Sequence, residues 1–243
     1  MKFAVADGER IEATPGAKGE CPGCGAEMVA RCGTQRVWHW AHRGRRHCDH
    51  WWENETQWHR DWKNHFPADW QEITARDEHG ELHIADIKTD KGLVVEFQHS
   101  FLNREEARER TQFHKPMFWV VDATRRATDA PNFIEALEYA RHHPTPDGMV
   151  YEVNMRAARL LKEWVTVGVI VAFDFGTDDV WVLRRVHGDW VLGFFYPKAK
   201  VVVHISEGTV LPDILYGQPT RQKVRVPVRR PPARGWKRVG PRF

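Results

Sequence analysis

Two of the chain's four cysteines form Cys21-Pro-Gly-Cys24, and fourteen residues later comes His39-Trp-Ala-His42. A tight knuckle supplying two ligands and a second short element supplying two more can close a tetrahedron around one zinc ion. Pro22 and Gly23 suit the turn, and a reducing compartment keeps the thiols free to bind. The spacing therefore nominates Cys21, Cys24, His39 and His42 as ligands of a structural Zn(2+). Cys48 is an alternative to one histidine, His47 and His50 lie close by, and Cys32 is expected to fill a small apolar gap. Segment 21–50 is poor in aliphatic residues, so a metal must do what an apolar core would otherwise do.

A second constellation is built from oxygen ligands. In "IKTDKGLVV", Asp90-Lys91-Gly92 reads as a three-residue hairpin loop whose last residue turns left-handed, as glycine permits. Pairing Thr89 with Leu93 sets Asp86 opposite Glu96, with Cβ atoms about 4.5–5.5 Å apart. Two bare carboxylates there repel, and a divalent cation such as Mg(2+) or Mn(2+) resolves the conflict. Such an ion polarises a phosphate and lowers the pKa of bound water, so the chemistry indicated is phosphodiester hydrolysis. Gln98 shares the face of Glu96, being two residues away. Lys63 and Lys88 are candidates for an accessory cation, whereas His99 falls on the opposite face and is expected to pack.

The elements that must position these groups follow from periodicity. A helix is expected over about 51–66, with Trp51, Trp58 and Trp62 on one stripe and Glu55, His59 and Lys63 along its edge. Three strands follow ("QEITAR", "LHIADIKT", "LVVEFQHS"), then a helix capped by Asn103, the strand "MFWVVDA" and a helix near 132–142. The order αβββαβ predicts a mixed α+β sheet for residues 51–143, behind an N-terminal zinc module at 1–50. Pro144, Pro146 and Gly148 mark a boundary. Beyond it a helix at 152–165 and four strands, the last being "KVVVHI", predict a small, mainly β C-terminal appendage over 150–216.

The 243 residues are 42% hydrophobic and 28% charged, which is ordinary for a folded domain and excludes a disordered or collagen-like chain. The net charge of +3 conceals an asymmetry, because nine of the 36 Lys and Arg lie in 219–243, where there is no Asp or Glu. The remaining 27 basic residues face 33 acidic ones, leaving a body of −6. The Pro/Arg tail at 217–243 cannot bury a core and reads as disordered. It is either a solvated end or an arm whose Arg221, Lys223, Arg225, Arg229 and Arg230 contact a polyanion backbone. No secretory signal or membrane span is legible, so the expected location is cytoplasmic, without membrane partners.

Together "CPGC", "HWAH", "ENETQWHRDWK", "ADIKTDKGLVVEFQHS", "EARERTQFH" and "FWVVDA" resemble the CoiA-like competence-protein family over roughly residues 20–125. The resemblance implies a restriction-endonuclease-like PD-(D/E)XK core, a metal-dependent deoxyribonuclease behind a zinc module, and a role in processing imported DNA for recombination. DNA is the implied partner, with recombination or DNA-uptake proteins beside it. It further implies Asp86 and Glu96 as Mg(2+) or Mn(2+) ligands, with Glu55 adding a carboxylate from the first helix. Gln98 occupies the place usually held by a catalytic lysine, and glutamine offers hydrogen bonds without charge. A DNA-binding protein with a degenerate nuclease fold is the alternative function.

Overall fold

The computed structural model describes residues 1–44, 48–146 and 148–209. The basic tail, with Arg221, Lys223, Arg225, Arg229 and Arg230, lies outside them. Two sheets organise the described residues, one small and one large.

The first sheet contains β1 (Phe3–Ala6), β2 (Glu9–Glu12), β3 (Lys18–Glu20), β4 (Glu27–Arg31) and β5 (His39–His42), in the order β2-β1-β3-β4-β5. Every pairing in it is antiparallel. Its apolar centre is small, comprising Met1, Ala4, Ala13, Cys21, Met28 and Trp40. Cys32 packs against this centre, as its residue type suggested.

The chain then forms α1 (Gln57–Lys63), a 3-10 turn at Ala68–Trp70, β6 (Gln71–Arg76), β7 (Leu82–Lys88), β8 (Val94–Gln98), α2 (Arg104–Phe113) and β9 (Met117–Asp122). The helix, three strands, helix, strand order expected from periodicity is present. Asn103 caps α2 by accepting the Glu106 amide at 2.8 Å. The first helix is shorter than expected. Thr56 caps it, its hydroxyl accepting the His59 amide while its own amide donates to His59 Nδ1. Trp51 and Glu55 therefore precede the helix, and only Trp58 and Trp62 share its apolar stripe.

After β9 come α3 (Asp129–Glu138), β10 (Arg141–Thr145), β11 (Gly148–Asn154), α4 (Arg159–Trp164), β12 (Val171–Asp174), β13 (Asp179–His187), β14 (Trp190–Pro197) and α5 (Lys198–Glu207). These strands do not form a separate appendage. β12 pairs parallel with β9, which itself pairs parallel with β8, so one nine-stranded sheet runs β10-β11-β14-β13-β12-β9-β8-β7-β6. The boundary expected at Pro144, Pro146 and Gly148 falls inside a hairpin: Pro144 on β10 lies opposite Met149 on β11, and Thr145 opposite Gly148. The helix expected over 152–165 is confined to α4, because residues through Asn154 pair with β14.

"KVVVHI" is helical rather than extended. Val201 and Ile205, one helical turn apart, both bury against the sheet, and Gly208 closes the helix at φ +59°. Packing here overrides the strand preference of three consecutive valines. Apolar clusters cover both faces of the large sheet. One is centred on Trp119, Phe133, Leu160 and Trp181, the other on Trp62, Ile87, Phe97 and Phe194.

Candidate functional site

The cysteine cluster assembles as Cys21, Cys24, His42 and Cys48, whose donor atoms all lie within 4.8 Å of one another. Cys21 Sγ is 3.6 Å from Cys48 Sγ, and Cys24 Sγ is 3.4 Å from His42 Nε2. Zinc–sulfur bonds of about 2.3 Å give tetrahedral edges of about 3.8 Å, and mixed S/N edges are slightly shorter, so the set fits zinc. Burial raises the pKa of Cys21, and burial together with the Cys21 charge raises that of Cys48. Zinc must therefore displace protons on binding.

His39 is not a member of the set, which corrects the expected ligand list. His39 and His42 both lie on β5, and residues three apart on a strand face opposite sides. Only one can meet the cysteines. His42 does so, while His39 Nδ1 is 2.9 Å from the Val37 carbonyl, and Cys48 completes the four.

The second cluster sits where β7 and β8 part. Their ladder keeps the expected register, Lys88 with Val94 and Ile87 with Val95, and Gly92 takes φ +80° in the connecting turn. One step further the backbone pairing stops. Side chains bridge the gap instead: the Asp86 amide donates to Glu96 Oε1 at 3.1 Å, and the Phe97 amide donates to Asp86 Oδ2 at 3.0 Å. The strands fork at the two carboxylates.

Lys63, from the last turn of α1, is buried inside this fork. Its Nζ lies 2.9 Å from Asp86 Oδ1, 3.2 Å from Glu55 Oε1 and 3.2 Å from Glu72 Oε1. Burial alone would lower its pKa, but Asp86, Glu55 and Glu72 outweigh burial and raise it well above the ordinary value. Lys63 is therefore a permanent cation. Glu55 directs its other oxygen to Arg60 at 2.9 Å. Burial pushes its pKa up, and Lys63 and Arg60 more than reverse that.

Glu96 is in the opposite state. Burial first, then the Asp86 charge, pushes its pKa well above the carboxylate range, and the nearest counter-charge, Arg110 Nη1, is 3.8 Å away. A divalent cation at the Asp86–Glu96 pair would release that proton. The pair fits Mg(2+) or Mn(2+), since Mg(2+) commonly takes one or two protein carboxylates and keeps its remaining waters.

Asp86, Glu96, Glu55, Lys63, Glu72 and His59 line a cavity of about 70 Å³, together with Trp52, Glu53, Arg110 and His114. One water needs only about 10–15 Å³, so several fit. His59 Nδ1 accepts the Thr56 amide, which leaves the proton on Nε2, and Nε2 is buried without a partner. Burial lowers the His59 pKa, so the ring is a neutral donor. Gln98 is not part of this wall. Its amide donates to the Ser100 carbonyl and hydroxyl oxygens at 3.2 Å, and the Ser100 hydroxyl donates to Glu53. His99 leaves the carboxylate face and pairs with Asp122 at 2.7 Å.

Glu72 and Arg110 escaped the sequence reading. Glu72 holds φ +50°, a strained value for a side-chain-bearing residue, and is buried. It accepts the backbone amides of Lys2 and Phe3 as well as Lys63. Arg110 is bound to Glu106, four residues earlier on α2, and to the Trp51 carbonyl. The Glu106–Arg110 spacing was visible, but it reads as an ordinary helix pair.

Among the described residues no helix is long and apolar enough to cross a membrane. No curated protein and no solved structure matches the chain. Residues 9–50, which hold the whole cysteine cluster, match the family model described as "Competence protein CoiA, N-terminal domain", and this part of the chain is similar to that domain.

Proposed function

We propose that the protein is a metal-dependent nuclease that hydrolyses phosphodiester bonds in DNA, with the cysteine module as a zinc-held structural unit. The observation that carries this reading is the fork: two carboxylates face to face, one of them held protonated by burial and the other's charge, beside a buried lysine in a cavity that holds several waters. Mg(2+) or Mn(2+) at Asp86 and Glu96 would supply Lewis acidity and an activated water.

Each remaining role belongs to the chain itself. Lys63 places a fixed positive charge 2.9 Å from Asp86, where charge develops on a phosphate. It takes over the role that a lysine at position 98 would have played. Glu55 and Glu72 anchor Lys63 rather than bind metal. His59 Nε2 offers a neutral hydrogen bond into the cavity, suited to a non-bridging phosphate oxygen. Trp52, at the cavity wall, and the exposed Phe101 offer faces on which unpaired bases can stack.

The test is a cleavage assay on single-stranded, duplex and branched DNA with Mg(2+), Mn(2+) or chelator. Metal-dependent cleavage that is lost on chelation supports the reading. Tight DNA binding without cleavage under every metal condition sinks it in favour of a DNA-binding protein, the reading that the uncharged Gln98 favours.

A further inference from the structure

Next to the cysteine cluster, but distinct from it, a group of histidine and carboxylate side chains converges on one point. His83, on β7, is completely buried, stacked on Trp51 with ring centroids 3.2 Å apart and capped edge-on by Phe113 at 4.5 Å. Its Nδ1 lies 2.9 Å from Asp49 Oδ1, and the other Asp49 oxygen accepts the Ile84 amide. That carboxylate fixes the ring's orientation and its tautomer, with the proton on Nδ1 and the lone pair on Nε2. Nε2 is buried and has no hydrogen-bond partner. It faces Glu81 Oε1 at 3.2 Å, out of hydrogen-bond alignment, and the same oxygen lies 3.7 Å from His50 Nδ1.

We propose that His83 Nε2, His50 Nδ1 and Glu81 Oε1 form a second transition-metal site, for zinc in the first instance, with Asp49 as the residue that orients His83. Nitrogen and oxygen ligands at about 2.0–2.1 Å from zinc stand about 3.3 Å apart at the edges of a tetrahedron. The Glu81–His83 separation of 3.2 Å matches that value, the Glu81–His50 separation of 3.7 Å exceeds it by a few tenths, and ligand atoms of Asp49, His50 and His83 lie within 4.8 Å of one another. A carboxylate bound to the far nitrogen of a ligating histidine is the usual supporting arrangement, because it sets the tautomer and raises ligand basicity. Two imidazoles with one carboxylate favour zinc and its transition-metal neighbours over Mg(2+), which prefers all-oxygen surroundings. His50 and Glu81 are exposed, with side chains 61% and 48% accessible, so the ion enters from solvent and these two side chains close over it.

The position gives the site a role. His50 follows Cys48 by two residues, whereas Glu81 immediately precedes β7 and His83 lies on it, the strand that continues to Asp86. A metal here fastens the end of the cysteine module to the strand carrying the fork. The site does not depend on nuclease activity.

The experiment counts bound zinc in the full chain carrying Asp86→Asn, which removes one ligand of the fork from the count. Two equivalents are expected, falling to one when His50→Ala is added; His50 is exposed, so its loss leaves the core intact. Glu81→Gln should weaken the second equivalent at least tenfold. With cobalt(II) in place of zinc, the thiolate charge-transfer absorption of the cysteine site should persist in the His50→Ala chain while the remaining ligand-field absorption falls. A single equivalent in the Asp86→Asn chain, or two equivalents retained after His50→Ala, overturns the proposal.

Discussion

The cysteine module and the carboxylate fork both gather metal-ligand side chains, but they balance them differently. In the module, three sulfurs and an imidazole gather within 4.8 Å of one another over a small apolar centre. In the fork, a single lysine, Lys63, is ion-paired with Glu55, Glu72 and Asp86 together, and the scaffold is a large sheet with apolar clusters on both faces. The difference teaches that a metal would do different work in each. Zinc in the module would take the place of a larger core, whereas a cation at the fork would be added to a framework that stands without it.

The sharpest way to break this contrast is to remove the module's metal. Structural zinc binding is worth about 10–16 kcal/mol in small zinc domains, so Cys24→Ser should remove the module's own zinc equivalent and loosen residues 1–44. His39→Ala should keep its zinc. Zinc counting by atomic spectroscopy together with amide exchange of the module checks both, and zinc loss in the His39 variant would restore the ligand set expected from spacing.

At the fork the expected effects fall on activity first. Asp86→Ala and Glu96→Ala should each reduce cleavage by about a thousandfold or more, roughly 4 kcal/mol of barrier. In metal-free buffer Glu96→Ala should melt near the parent temperature, because the carboxyl it removes is held protonated, whereas Asp86→Ala should melt lower, because it takes a partner from buried Lys63 and from the Phe97 amide. A large drop in melting temperature for Glu96→Ala would show that the pair holds the fold.

Lys63→Met strands three acidic side chains without their cation, and breaking a buried pair costs about 3–5 kcal/mol. Denaturant unfolding should show this loss, and added Mg(2+) or Mn(2+) should recover more stability in the variant than in the parent. Equal metal protection in both chains would mean that the ion and Lys63 do not share the same carboxylates. The smallest effect is expected at Gln98, which lies off the cavity wall. Gln98→Ala should slow cleavage less than tenfold, and a Lys63-sized loss would put the amide back in the chemistry.

The β7–β8 register was legible because Gly92 and the apolar alternation fix both the turn and the faces on either side of it. The Cys-Pro-Gly-Cys knuckle was legible because ligand chemistry and turn chemistry coincide there. His39 misled because a spacing of three favours one face of a helix but opposite faces of a strand, and 39–42 is a strand. The start of α1 was set too early because the tryptophan stripe extends upstream of Thr56, where capping ends the helix whatever the stripe does. The continuity of the sheet was out of reach for a different reason. β9 and β12 are separated by two helices and a hairpin, and no local pattern in either strand announces a parallel partner that distant. Asp174 shows how deep that joining goes, since it accepts the indole N–H of both Trp58 and Trp62 from α1.

The fork also makes two backbone amides sensitive to what the carboxylates hold. In an unbroken ladder the amides of Asp86 and Phe97 would donate to carbonyls, which no ligand can take away. Here they donate to Glu96 Oε1 and Asp86 Oδ2, the same atoms that would turn toward a cation. Occupancy of the site is thereby written into the hydrogen-exchange rates and amide chemical shifts of two residues, readable without any substrate.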